Sequence, residues 1–123
     1  AASDVYKRQD LNAIIHPLVR ERAAELEAAA PVGAVVVHVI PLLVETGQQD
    51  RFDAVVVVDT TVEEQLRRLT RRDGLTQTEA EQRVAAQASR EERLGAATHV
   101  IDSSGPVRET MRQVDELWQN LST

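Results

Sequence analysis

The sequence predicts an α/β fold in which a parallel sheet of about three strands is flanked by helices. β-branched apolar runs at residues 34–40, 55–58 and 98–102 have the length of buried strands. Segments with helical spacing of apolar residues separate these runs, and strands that alternate with helices favour parallel pairing. Aromatic residues make up only 2% of the chain, so we expect a core of aliphatic side chains.

The composition indicates a globular domain and argues against several classes of protein. The 123 residues are 42% hydrophobic and are enough for one domain. The net charge of −6 argues against a nucleic-acid-binding surface, and no apolar run is long enough to span a membrane. The absence of cysteine excludes disulfides and zinc–thiolate sites, and it fits a cytoplasmic location.

The N-terminal region is expected to contain two short helices after an irregular lead. Residues 1–9 show no periodicity, and we interpret them as an unstructured lead or scar. Asp10 can cap a short helix that is interrupted before Pro17, because proline disfavours the helical conformation of the residue that precedes it. A second helix then begins at Pro17, which suits a first helical position, and is stopped by Pro31 and Gly33.

The helix that follows the valine strand carries a cluster of arginines. Thr61 and Glu64 form the Thr-x-x-Glu pattern of a capping box, so we expect the helix to begin there. The cluster consists of Arg67, Arg68, Arg71 and Arg72. Pairs of these arginines lie one turn apart, where like charges repel weakly. The pattern indicates either an anionic partner or the ordinary preference of cations for the C-terminal end of a helix.

Residues 66–97 are expected to form an arm that leaves the body of the domain and returns to it. Thr76 with Glu79 and Ser89 with Glu92 make two further capping boxes. A break near Ser89 should therefore separate two helices that meet at an angle.

The C-terminal segment predicts an amphipathic helix. After a loop at residues 103–106, apolar residues recur at helical spacing to the end of the chain. We expect this helix to pack on the core through Val107, Met111, Val114, Leu117, Trp118 and Leu121.

No pattern in the sequence predicts a metal site. His16, His38 and His99 lack the spacing of metal ligands. His38 lies within an apolar run, where a lone histidine is more often a hydrogen-bonded core residue. Residues 41–45, which follow this run, are the better candidates for a site, since ligands of open parallel sheets lie outside the carboxyl ends of the strands.

Six short segments together resemble one enzyme family. In chain order they read LNAIIHPL from Leu11, IPLLVE from Ile40, VVD from Val57, RDGLT from Arg72, AAQ from Ala85 and VIDSSG from Val100. Their order and spacing are similar to those of dephospho-CoA kinase, a bacterial enzyme with the P-loop NTPase fold and a helical lid arm. The resemblance implies a phosphotransferase that uses ATP and Mg²⁺ to phosphorylate the ribose 3′-hydroxyl of dephospho-CoA, the last step of coenzyme A biosynthesis.

The resemblance also implies roles for individual residues. Arg72, at the base of the lid, would face both substrates and act as the catalytic residue. The residues implied to bind dephospho-CoA are His16, Pro17, Arg20, Pro41, Leu42 and Glu45. The residues implied to contribute to the ATP side of the lid are Arg68, Arg83 and Gln87.

The sequence departs from that family in the loop that binds phosphate. Family members begin with a strand and a glycine-rich loop, GxxxxGK[ST], whose N–H groups and lysine hold the phosphates. This chain contains no such motif, and its only lysine, Lys7, lies in no glycine loop. The acidic residue that the family uses as the base is missing as well. Val39 and Ser103 stand where aspartate and asparagine are common in the family.

These departures predict that residues 10–123 form the C-terminal part of a P-loop kinase domain. Such a chain should be inactive alone, and an exposed sheet edge should favour poor solubility or dimerisation. Two alternatives stay open at the level of the sequence. The chain could belong to another P-loop kinase that acts on a nucleotide or small molecule, or it could be a non-enzymatic domain that binds an anionic partner.

Overall fold

The computed structural model describes the backbone of residues 2–122 and the side chains of residues 7–122. The chain divides by its internal contacts into a first unit that ends at His38 and a second that begins at Val39. The candidate residues His16, Pro17 and Arg20 therefore belong to the first unit, and the other candidate residues belong to the second.

A long helix, α1 (Ala2–Ala29), forms most of the first unit. It corrects two expectations, because residues 2–9 are helical rather than irregular and Pro17 lies inside the helix without ending it. No glycine or proline precedes Pro17, and Lys7, Arg8 and Gln9 are good helix formers, so a helix forms here without apolar periodicity. Pro17 removes one backbone hydrogen bond, while the turns on both sides retain theirs.

The strand expected at residues 34–40 does not form. Gly33, with φ of +84°, helps to turn the chain after α1, and Ala34 N donates a hydrogen bond to Pro31 O at 3.0 Å. The residues that follow pair with neither strand of the described sheet, and Val39 is 88% exposed. A β-branched run becomes a strand only where a neighbouring strand completes its hydrogen bonds. His38 is half-buried, and its Nε2 lies 3.3 Å from Glu27 Oε2.

The second unit is built on two parallel strands, β1 (Val56–Asp59) and β2 (His99–Asp102). Their register pairs Val56 with His99 at one end and Asp59 with Asp102 at the other. This confirms the parallel α/β class and two of the expected strands, each beginning one residue later than the run that predicted it. The sheet has two strands rather than three because residues 34–40 stay unpaired.

Helices complete the described part of the second unit. They are α2 (Val62–Arg72), α3 (Gln77–Ala86), α4 (Arg90–Ala96) and α5 (Val107–Ser122). Helix α2 packs against α3, α4 against β1, and α5 against β2. The predicted break at Ser89 is confirmed, since this residue caps α4. A turn at residues 41–47 and a short 3-10 helix (Gln49–Arg51) precede β1.

Side chains cap the three helices that connect the strands, as the sequence predicted. The hydroxyls of Thr61, Thr76 and Ser89 each accept a hydrogen bond from the backbone N–H three residues later. The reciprocal half of the capping box is present at Thr76, where the Glu79 carboxylate accepts from the Thr76 N–H at 3.2 Å. It is not formed at Thr61, because the carboxylate expected to complete it pairs with arginines instead.

The buried part of the second unit is small. Among the described residues, the buried side chains are Val55, Ala80, Ile101 and Asp59. The valine run was expected to form a buried strand, but the strand is only partly buried, since Val58 is 60% exposed. A sheet of two four-residue strands offers too little area for helices to cover both faces of it.

Helix α5 forms as predicted but leaves much of its apolar face in solvent. Val107 is 78% exposed, Met111, Val114 and Trp118 are also exposed, and the two leucines of the predicted set, at positions 117 and 121, are half-buried. Polar contacts help to hold the helix to β2. The amide of Gln113 accepts from Asp102 N at 2.8 Å and donates to Asp102 O at 2.9 Å.

Candidate functional site

The carboxyl ends of β1 and β2 meet at one edge of the sheet. Because the strands are parallel and Asp59 is paired with Asp102, the residues that follow them, Thr60 and Ser103, lie at the same edge. Ser103 N donates to Asp59 O at 2.8 Å, and Ser103 Oγ donates to the same oxygen at 3.1 Å. This edge is where open parallel sheets bind ligands.

Arg68 of α2 reaches this edge. Its terminal nitrogens donate to Ser103 O at 2.6 Å and to Ser103 Oγ at 3.2 Å, while its Nε donates to Glu64 Oε1 at 3.0 Å. Three of its five N–H groups thus have protein partners. Arg68 connects α2 with the loop after β2 and lines the edge of the sheet.

Glu64 compensates the charge of two arginines of the α2 cluster. Its carboxylate accepts two hydrogen bonds from Arg67, at 2.6 and 2.9 Å, and one from Arg68. The hydrogen bond from Arg67 is the main cause that lowers the pKa of Glu64. The repulsion expected between arginines one turn apart is therefore reduced within the helix itself.

A cavity of about 260 Å³ opens at this edge of the sheet. It brings together three of the predicted residues, Arg68, Arg72 and Gln87. The other lining residues are Val58, Thr60, Gln65, Leu69, Arg93 and Ser103. The nine residues include three arginines and no carboxylate, so the cavity is cationic. Gln87 is held in place by its side-chain oxygen, which accepts from Gln65 Nε2 at 2.9 Å.

Arg72 is the most exposed arginine of the cavity. Its side chain is 76% exposed, and its Nε donates to Asp73 Oδ1 at 3.0 Å, which raises the pKa of Arg72. Its terminal nitrogens have no hydrogen bond within the described part of the chain. Arg83, predicted to join this group, is exposed on α3 and does not line the cavity.

The remaining predicted residues lie outside the cavity. Glu45 accepts a hydrogen bond from Ala88 N at 2.9 Å, which joins the 41–47 turn to the break between α3 and α4. Pro41 and Leu42 are exposed in the same turn. The three candidates of the first unit are exposed on α1; they are His16, Pro17 and Arg20.

An ion pair that the sequence analysis missed fixes α4 to the sheet. Nε and Nη2 of Arg90 bind both carboxylate oxygens of Asp59 at 2.7 to 3.2 Å, and this raises the pKa of Arg90. The carboxylate of Asp59 is almost fully buried, so the arginine provides the partner that a buried charge requires.

Thr60 and Arg93 are cavity residues that the sequence analysis also missed. The rule that drew attention to residues 41–45 applies equally to Thr60, which follows the carboxyl end of β1. Arg93 had no such signal, because its place at the cavity depends on how α4 packs against β1. Among the described residues, no helix could cross a membrane and no group of three His, Cys, Asp or Glu could hold a metal ion.

Comparison with known proteins identifies the family. The family model of dephospho-CoA kinase (CoaE) matches residues 2–109. A dephospho-CoA kinase from Cutibacterium acnes is 49% identical over 98% of this chain and 53% of its own length. Another from Streptomyces avermitilis is 49% identical over 97% of this chain and 58% of its own length. The chain thus spans a little over half the length of these relatives.

A solved structure is similar over most of the fold. The crystal structure of TT1252 from Thermus thermophilus matches with a TM-score of 0.77 and 30% sequence identity. The match covers 94% of this chain and 60% of the TT1252 chain. Since the family model matches most of the chain, and relatives of 49% identity cover nearly all of it, this chain belongs to the dephospho-CoA kinase family.

Proposed function

We propose that this chain supplies the lid and the acceptor-binding part of a dephospho-CoA kinase, which transfers a phosphoryl group from ATP to the 3′-hydroxyl of dephospho-CoA. The observation that supports this most strongly is the cationic cavity at the carboxyl ends of β1 and β2. Phosphoryl transfer depends mainly on positioning and on neutralising charge at the transferring group. Arginine suits that task because its planar cation binds phosphate oxygens through two N–H groups at once.

Arg72 is proposed as the catalytic residue. Its exposed guanidinium lies at the end of α2, directly before the turn at Gly74, whose φ is +67°. A glycine in this conformation gives the chain a sharp change of direction between α2 and α3. Arg68 and Gln87 would hold the ATP side of the same cavity, and Arg83 would contribute from α3.

The residues proposed to bind the acceptor fall into two groups, one on α1 in the first unit and one in the 41–47 turn of the second unit. His16, Pro17 and Arg20 are accessible on α1, and Pro41 and Leu42 are accessible in the turn. The sixth member, Glu45, already binds the backbone at the α3–α4 break, which supports a role in positioning the arm beside the acceptor.

ATP and Mg²⁺ enter the proposal through the family. The cavity arginines fit the phosphates of a nucleotide, whereas the described residues provide no set of ligands for a metal ion. The glycine-rich loop is absent from the sequence, so the chain alone is expected to give no ATP-dependent turnover.

Calorimetric titration with dephospho-CoA and with ATP tests the acceptor half of this proposal. Dephospho-CoA should bind weakly, and Arg20→Ala should weaken it at least about fivefold, as loss of a charged contact does. Arg8→Ala, on the same exposed helix, is the matched control and should change binding less than about twofold. Equal effects of the two substitutions, or no binding of dephospho-CoA, would reject this role for α1.

A chimaera tests the role of Arg72. The part of the Cutibacterium acnes relative that does not match this chain would be joined to this chain, and the product would be assayed for ATP-dependent phosphorylation of dephospho-CoA. Arg72→Ala should lower kcat at least about tenfold, since a transition-state contact is lost. Arg71→Ala removes a neighbouring charge outside the cavity and should leave kcat within about twofold. An unchanged kcat for Arg72→Ala would remove this residue from the mechanism.

A further inference from the structure

Two buried polar atoms of the cavity lack partners. Arg93 Nε and Thr60 Oγ1 are buried and have no hydrogen bond within the described part of the chain. Their neighbours differ, because Arg68 is bound by Ser103 and Glu64, and Gln87 is bound by a second glutamine. Buried polar groups in folded proteins are nearly always hydrogen-bonded, so two unpartnered groups on residues that line one cavity indicate a missing ligand.

The charge of the cavity defines the sign of that ligand. Arg93 makes no ion pair with any described residue, and Arg72 uses only its Nε for Asp73. Asp73 compensates Arg72 in part, but no carboxylate that lines the cavity compensates Arg93. A ligand that restores the balance must carry negative charge and must accept hydrogen bonds from a guanidinium and a hydroxyl.

The arrangement of the donors favours phosphate over a planar carboxylate. Thr60 follows β1, Arg72 ends α2, and Arg93 lies on α4, so the donors approach the cavity from three different elements. A tetrahedral group with three or four oxygens can accept from all three at once. The position at the carboxyl ends of parallel strands, and a volume of about 260 Å³, suit such a group.

We propose that Thr60 and Arg93, together with Arg72, form a site for a phosphate group in this cavity. Arg93 would bind it from α4 and Thr60 would donate its hydroxyl from the strand end. The site rests on the proposed function only for the source of the phosphate. If the chain is part of a kinase, that source is a nucleotide. The ion pair of Arg90 with Asp59 holds α4 against β1 and so keeps Arg93 at the cavity.

Titration of this chain with inorganic pyrophosphate at low salt tests the site. Pyrophosphate should bind, and Arg93→Gln should weaken it at least about tenfold. Arg71→Gln removes an equal charge from an exposed position outside the cavity and should weaken binding less than about threefold. Thr60→Val, which keeps the shape of the side chain, should weaken binding at least about threefold. The Nε–H resonance of Arg93 should shift on addition of pyrophosphate.

The results separate this site from the proposed function. No binding of pyrophosphate would overturn the site. Equal losses in Arg93→Gln and Arg71→Gln would overturn it in favour of general charge attraction. Circular dichroism would establish whether Arg93→Gln is folded. If it is not folded, the affinity of Thr60→Val for pyrophosphate and the shift of the Arg93 Nε–H resonance in the unsubstituted chain test the site instead. ADP that binds more tightly than pyrophosphate would identify a nucleotide as the source. Pyrophosphate binding without dephospho-CoA binding would support the site and reject the acceptor role.

Discussion

The arginines near the sheet edge are of two kinds. Arg68 and Arg90 use their guanidinium groups to bind a loop and a buried carboxylate, so they hold α2 and α4 in place. Arg72 and Arg93 keep N–H groups that no described residue engages. The first kind holds the helices that carry the second, and the second retains N–H groups where phosphate is proposed to bind.

Glu45 provides a test at the scale of one residue. The hydrogen bond from Ala88 N to its carboxylate is the contact that connects the 41–47 turn with the α3–α4 break. Glu45→Ala removes this acceptor, so the amide of Ala88 should exchange with solvent about tenfold faster. Asp50→Ala, an exposed substitution in the same unit, is the control. Hydrogen exchange measured by NMR decides, and an unchanged rate at Ala88 would mean that the contact does not persist in solution.

At the scale of elements, α3 carries the complete capping box. Thr76 accepts from Glu79 N, and Glu79 accepts from Thr76 N, so two N–H groups at the start of α3 are satisfied by side chains. Thr76→Ala should lower the free energy of unfolding by about 1 kcal/mol. Thr78→Ala removes an exposed threonine at the second residue of the same helix and should change the free energy of unfolding by less than about 0.5 kcal/mol. Urea denaturation gives both values, and equal losses would show that the cap contributes nothing.

Elements whose signals are local could be predicted from the sequence. The capping residues Thr61, Thr76 and Ser89 predicted the starts of three helices, because a cap acts within four residues of chain. The valine run predicted β1 because its β-branched residues are consecutive in the sequence. Residues 34–40 have equally strong β propensity, yet pairing depends on a neighbouring strand that propensity does not report.

The candidate site was predictable only in part. Arg68, Arg72 and Gln87 were identified through the family resemblance and do line one cavity. Arg93 and the Asp59–Arg90 pair were missed, since these contacts join positions more than thirty residues apart or depend on helix packing. The prediction that a helix is interrupted before Pro17 was wrong. An internal proline removes one backbone hydrogen bond, and α1 continues through Pro17 in spite of that loss.

At the scale of the whole molecule, several carboxylates make stability depend on acid pH. The pKa of Glu79 is lowered, chiefly by the backbone hydrogen bond from Thr76, and that of Asp102 is lowered chiefly by the hydroxyl of Ser104. The pKa of Glu109 is lowered chiefly by the hydrogen bond from Arg112. A folded-state pKa below the unfolded value means that the folded chain binds fewer protons, so this contribution is present at neutral pH and is lost on acidification.

The urea midpoint should therefore be steady from pH 7 to about 5 and should fall as the pH drops below about 4.5, where these carboxylates become protonated. Glu79→Gln removes one of these groups and should make the decline less steep. Urea denaturation at pH 7, 5, 4 and 3 measures this. A midpoint that stays constant down to pH 3 would contradict the linkage.

The exposed apolar surface of the sheet has a consequence for association. Each strand of a two-stranded sheet has an outer edge, and Val56, Val58 and Val100 are exposed on the strands themselves. Unpaired strand edges with apolar side chains are templates for pairing with a second chain.

Val56→Lys should weaken self-association of the chain, because a charged side chain at a strand edge disfavours pairing with another edge. Val32→Lys places the same charge in the exposed turn after α1 and controls for net charge and solubility. Sedimentation velocity over a hundredfold range of concentration measures the effect. We expect a concentration-dependent dimer for the unsubstituted chain and at least about a fivefold weaker dimer for Val56→Lys, since like charges on facing edges repel. A purely monomeric chain, or equal weakening by the two lysines, would exclude the sheet edge as the surface of association.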